Sequence, residues 1–117
     1  MKENVVKSKS FAFAVSVVKT YQSIYNNSRE PIMSKQFLRS GTSVGAMIRE
    51  AEHAETKNDF RHKMAIAQKE INETIYWIDL LKETGYIPLE EHENISRDAI
   101  EILKLVTSIL KTSKLNQ

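Results

Sequence analysis

The chain has 117 residues, of which 41% are hydrophobic and 27% charged; that length holds one domain of ordinary size, and the composition excludes intrinsic disorder. Three glycines and two prolines cannot furnish a turn every ten residues or so, which excludes β-sandwiches and α/β sheets and leaves an all-α chain of long helices. The net charge of +2 conceals an asymmetry: residues 1–49 hold eight basic and two acidic side chains, residues 50–117 nine basic and thirteen acidic, as expected of a nucleic-acid binder or of a chain that associates head to tail.

The first predicted helix runs from about Val5 to Tyr25 and is apolar on two sides. Phe11, Ala14, Val15, Val18 and Tyr25 form one stripe, and Phe13, Val17 and Ile24 form another nearly opposite, so both sides are expected to be buried. Asn26 to Pro31 breaks the pattern. The second helix is predicted from Ser34, a good N-cap, to about Ala54, with Phe37, Gly41, Val44, Ile48 and Ala51 toward the core. Two glycines four apart within it, Gly41 and Gly45, each cost roughly 1 kcal/mol of helix propensity and predict close approach of another helix backbone.

Thr56 followed by Asp59 is a variant capping box that opens a third helix, from Lys57 to about Thr84, on the stripe Phe60, Met64, Ala67, Ile71, Ile75, Ile78 and Leu81. Gly85 occupies the position that follows a helix C-cap. Pro88 then opens a fourth helix with Glu90 and Glu91 in its first turn, where negative charge suits the helix dipole. That helix runs to about Lys114 on Ile95, Ala99, Ile102, Leu103, Val106, Ile109 and Leu110. Four helices with short connections predict an up-down-up-down antiparallel four-helix bundle, with residues 1–117 as a single domain.

Several patterns carry possible chemistry. Gly41-Thr42-Ser43-Val44-Gly45 matches the G-x-S-x-G nucleophile elbow, but that chemistry needs a strand before the serine, so helix packing is the expected role. Glu50-Ala51-Glu52-His53 contains the Glu-x-x-His spacing of di-iron bundles, yet Glu50 and His53 lie roughly 140–160° from Ile48 on the helical wheel and point outward. With no cysteine present, disulfides and thiolate metal sites are excluded. No cofactor, metal or catalytic residue is therefore predicted.

Glu70, Glu73 and Trp77 share a flank of the third helix and are assigned to ion pairs at a helix contact and to an interfacial aromatic. The run Phe11 to Val18 is too short to span a bilayer and no small-residue cleavage site follows it, so the chain is expected in the cytoplasm without membrane contact.

The basic residues Lys35, Arg39 and Arg49 fall on the outer face of the second helix, and Arg61 and Lys63 on the third. They are the candidate phosphate-contacting set, with RNA or DNA as partner. About 48 apolar side chains are present where four helices with the usual three-in-seven core face need about 38. The surplus is assigned to a self-association interface comprising Phe13, Val17, Ile24, Tyr76, Trp77 and Leu80, with Ile66 beside them.

Phe37-Leu38-Arg39-Ser40-Gly41-Thr42-Ser43-Val44-Gly45-Ala46-Met47-Ile48-Arg49-Glu50-Ala51 closely resembles the bacterial four-helix-bundle family of intervening-sequence proteins. So do Asp59-Phe60, Lys63 to Glu70 and Glu73 to Leu81. Members are encoded in inserts within large-subunit ribosomal RNA genes, and the accessory variability determinant of diversity-generating retroelements is a similar protein. Met47 stands where the family pattern most often has Asn. The resemblance implies a left-handed antiparallel bundle, a ring-shaped homopentamer, no catalytic activity, and a role with nucleic acid or with a nucleic-acid enzyme such as a reverse transcriptase. The alternative is a protein-interaction scaffold without direct nucleic-acid contact.

Overall fold

The computed structural model describes residues 2–115, in four helices: α1 (Lys2–Ser28), α2 (Met33–Glu52), α3 (Lys57–Glu83) and α4 (Leu89–Leu115). They pack as the predicted antiparallel bundle, 47 Å long and about 20 Å across. α1 packs on α2 and α4, and α3 packs on α2 and α4, so α1 and α3 stand on one diagonal and α2 and α4 on the other. Among the described residues no helix is long and apolar enough to cross a membrane.

The helix ends follow local chemistry. Thr56 caps α3 by accepting from the Asp59 N–H at 3.0 Å. Gly85, at φ +88°, closes the same helix with its N–H donating to the Lys82 carbonyl, a left-handed conformation that glycine adopts without a Cβ penalty. The Pro88 carbonyl takes the first helical bond of α4, from the His92 N–H.

The start of α2 differs from expectation. Helix begins at Met33, and Ser34 is buried and does not cap it. The Glu30 carboxylate caps instead, accepting from the N–H groups of Ile32 and Ser34 at 3.1 and 2.9 Å. Burial works against its charge, but the backbone donors outweigh it and hold the Glu30 carboxyl below its ordinary value. A longer side chain three residues back thus reaches donors that a serine at the helix start would have served.

The core stripes of α2, α3 and α4 are as predicted, with Phe37, Val44, Ile48, Met64, Ile71, Ile78, Ile102 and Val106 almost fully buried. α1 requires a correction. Phe13, Val17 and Ile24, assigned by sequence to contacts between copies, are buried in the chain's own core together with Val6 and Ser10. The opposite stripe is the exposed one: Phe11 is 56% exposed, and Val15, Val18 and Tyr25 about 40%. Both stripes follow alternating four- and three-residue spacing, so periodicity alone could not choose between them. The choice comes from α2. A Cβ on Gly41 would lie 2.8 Å from both Val17 methyl carbons, and one on Gly45 would lie 3.4 Å from the Ser10 carbonyl oxygen. The missing side chains on α2 form a groove that accepts the Val17 and Ser10 side of α1.

Gly41→Ala therefore destabilises the bundle by about 1–2 kcal/mol, because overpacking a stiff, buried valine exceeds the gain in helix propensity. Gly45→Ala meets only ordinary contact and is neutral or stabilising by up to about 1 kcal/mol. Urea denaturation of the two variants beside the parent checks the contrast, and equal effects would remove the groove argument.

Candidate functional site

The outer face of α2 gathers the exposed residues Lys35, Arg39, Ala46, Arg49 and His53. Lys35 to Arg49 spans about 21 Å at 1.5 Å rise per residue. The two exposed carboxylates of this helix are turned sideways and tied to its neighbours. Glu52 pairs with Lys7 of α1 at 2.9 Å and Glu50 with Lys63 of α3 at 3.0 Å. The hydrogen bond from Lys7 holds the Glu52 carboxyl below its ordinary value, and the bond Lys63 donates to Glu50 holds Lys63 above its own. Lys35 and Arg49 are left as exposed cations on this face.

Arg39 is the most constrained member. Its Nη1 donates to Glu70 Oε2 at 2.9 Å, its Nη2 donates to Glu73, and its Nε donates to Gln36 Oε1 at 3.1 Å. Glu70 is only 5% exposed, and an unpaired carboxylate there would be costly. Glu73 also accepts from the Trp77 indole Nε1 at 3.0 Å; that bond, with Arg39 behind it, holds the Glu73 carboxyl below its usual range. The same bonds to Glu73 and Glu70 push the Arg39 guanidinium higher still. Beneath this cluster Thr74 Oγ1 donates to Ser40 Oγ at 2.9 Å across the α2–α3 contact. Sequence reading placed Glu70, Glu73 and Trp77 together but not the Ser40–Thr74 bond, whose one signal is a hydroxyl residue inside each apolar stripe.

Arg49 stacks its guanidinium 5.3 Å over the Phe11 ring of α1, a cation–π contact that leaves the charge on the surface. Of the five predicted basic residues, Lys35, Arg39 and Arg49 thus share the α2 face, and Lys63 adjoins it through Glu50. Arg61 occupies the wheel position of Asp79, whose Oδ1 meets His92 of α4 at 2.9 Å, and so lies on the α4 side of α3. Among the predicted interface residues still available, Tyr76 is 58% exposed and Trp77 and Leu80 are half-buried, the two rings meeting edge to face at 5.0 Å. Ser43, centre of the G-x-S-x-G pattern, donates to the Arg39 carbonyl at 2.7 Å inside the helix.

The family model described as 23S rRNA-intervening sequence protein matches residues 2–108. The chain belongs to that family. A solved structure has the same fold: a protein of unknown function from the S23 ribosomal protein family of Bacteroides thetaiotaomicron is 55% identical. The match covers 95% of this chain and 99% of that one, with a TM-score of 0.93. No functionally curated protein matches.

Arg39→Ala leaves Glu70 buried without its cation and destabilises the bundle by about 1–3 kcal/mol, whereas Lys35→Ala changes stability by less than about 0.5 kcal/mol. Because the folded-state pKa of Glu73 is depressed, its share of the difference is present above the unfolded carboxyl value of about 4.3 and is lost as pH falls through the lowered one. Thermal melts of parent and Arg39→Ala from pH 7 to pH 3 should converge at the acid end.

Proposed function

We propose that this chain is a non-enzymatic, self-associating four-helix bundle, a homopentamer in the reading its family resemblance implies, that contacts nucleic-acid phosphates through the outer face of α2. The observation that carries the proposal is the arrangement just described: on that face the carboxylates Glu50 and Glu52 are paired from the sides, leaving Lys35 and Arg49, with the exposed edge of the ion-paired Arg39 between them, as a cationic stripe along one helix. A backbone-following stripe of this kind attracts phosphates without reading bases. The family's description, which ties it to intervening sequences of 23S rRNA, makes structured RNA the first ligand to try and a nucleic-acid enzyme in the cytoplasm the natural partner. Arg39, tied to Glu70 and Glu73, offers only its exposed edge, so Lys35 and Arg49 carry most of the contact. Lys63 and Arg61 contribute field rather than direct bonds.

The exposed apolar residues Phe11 and Tyr76 favour a second reading, a protein-interaction scaffold without nucleic-acid contact. A salt titration separates the two. Binding to a transcript of a 23S rRNA insert should weaken steeply with salt, and Lys35→Glu and Arg49→Glu should each reduce the slope of log K against log salt by about one. A slope unchanged in both variants, or no binding at micromolar protein, supports the scaffold.

A further inference from the structure

Rings and cations occur together where α1 borders α2. Phe11 is 56% exposed, with the Arg49 guanidinium of α2 5.3 Å over its ring. Tyr25 is 41% exposed, with the Arg29 guanidinium 5.5 Å over its own ring. Tyr21 extends the second cluster, its ring stacked on that of Tyr25 at 6.3 Å. Val15 and Val18, exposed and uncharged, lie between the two clusters. About half of each terminal ring thus stays open to a further stacking partner.

Four contacts fix how α1 lies along α2. Lys7 pairs with Glu52, Phe11 meets Arg49, the Ser10 backbone faces Gly45, and Val17 faces Gly41. Continued along both helices, that antiparallel register brings Lys35 to the turn of α1 that holds Tyr21 and Tyr25. Each ring cluster therefore has a cation of α2 at its level, Arg49 at one end and Lys35 at the other, about 21 Å apart at 1.5 Å rise per residue.

The charge on this border has one sign. Residues 4–49 hold seven basic side chains and a single carboxylate, Glu30, which is spent on the N–H groups that open α2. Glu52, at the foot of the border, is paired with Lys7. Such a surface fits an anionic polymer with flat faces, its phosphates toward the cations and its bases toward the rings. A duplex does not fit the rings, because its bases are stacked on one another and offer only their edges in the grooves.

We infer that the α1–α2 border binds single-stranded nucleic acid, with bases stacked at Phe11 and at Tyr25 and the phosphates between them held by Arg49, Lys35 and Arg29. Stacking on aromatic rings beside arginine accepts every base, so the surface takes unpaired strand without reading its sequence. The span of about 21 Å corresponds to about six nucleotides at 3.4 Å per stacked step. In a folded RNA such strand is found in loops, bulges and ends. This site rests on the phosphate contact proposed above and adds to it the form of the ligand.

Fluorescence anisotropy with three labelled probes of about twelve nucleotides tests the site: a mixed-sequence RNA strand, the blunt duplex of that strand, and an abasic strand of equal length. The parent protein should bind the strand about tenfold tighter than either other probe. Phe11→Ala and Tyr25→Ala should each weaken strand binding about tenfold, leaving the abasic probe and the slope of log K against log salt unchanged. Phe11→Tyr and Tyr25→Phe, which keep the rings, should bind as the parent does. Both positions are exposed, so all four variants should keep the parent's far-ultraviolet circular dichroism. Strand binding unchanged in the alanine variants, or an abasic probe or duplex bound as tightly as the strand, would overturn the stacking site. The phosphate contact would still stand if Lys35→Glu and Arg49→Glu reduce the salt slope. A change of mass by light scattering in the alanine variants would assign the border to a contact between copies and overturn the site as well. No binding of any probe by the parent would remove the phosphate contact and the stacking site together.

Discussion

The contact between Val17 and Gly41 governs much of this bundle. α1 carries two apolar seams of nearly equal quality, and either could be buried against three other helices. The absence of a side chain at Gly41, with the buried Val17 methyl groups filling its place, admits one seam closely and sets the separation of α1 and α2. Gly45 against the Ser10 backbone continues the same groove one turn along. Helix propensity is sacrificed at both glycines, and the return is a close approach that a larger residue at Gly41 would prevent.

From that choice the exposed surface follows. Burying Phe13, Val17 and Ile24 commits Phe11, Val15, Val18 and Tyr25 to solvent, and the rotation that does so carries them to the α2 side of α1, where Arg49 covers Phe11. On the other flank of α2, Arg39 bridges to Glu70 and Glu73. The cations of α2 therefore serve two ends. Arg39 holds two helices together by neutralising a buried carboxylate, whereas Lys35 and Arg49 keep their charge at the surface. The lysines of α1 and α3 that tie Glu52 and Glu50 complete the separation of charge. A helix whose own sequence has acid and base side by side presents an outer face of one sign.

The sequence by itself determined the helix number, the antiparallel bundle, most of the core stripes and the family, because hydrophobic period, turn chemistry and the Gly41–Gly45 block are local and repeat over many residues. It also placed Glu70, Glu73 and Trp77 on one flank, since that needs only the wheel of a single helix. It did not settle Ser34, where a neighbouring Glu30 competed for the same donors. Nor did it settle which seam of α1 faces inward, or that Arg39 is bound to Glu70 and Glu73 while Arg61 turns toward α4. Those depend on which surfaces of two helices meet, a relation between residues far apart in the chain that no single helix's periodicity contains. Only the tertiary structure decided them, through steric fit at Gly41 and the cost of leaving the Glu70 carboxylate buried without a cation.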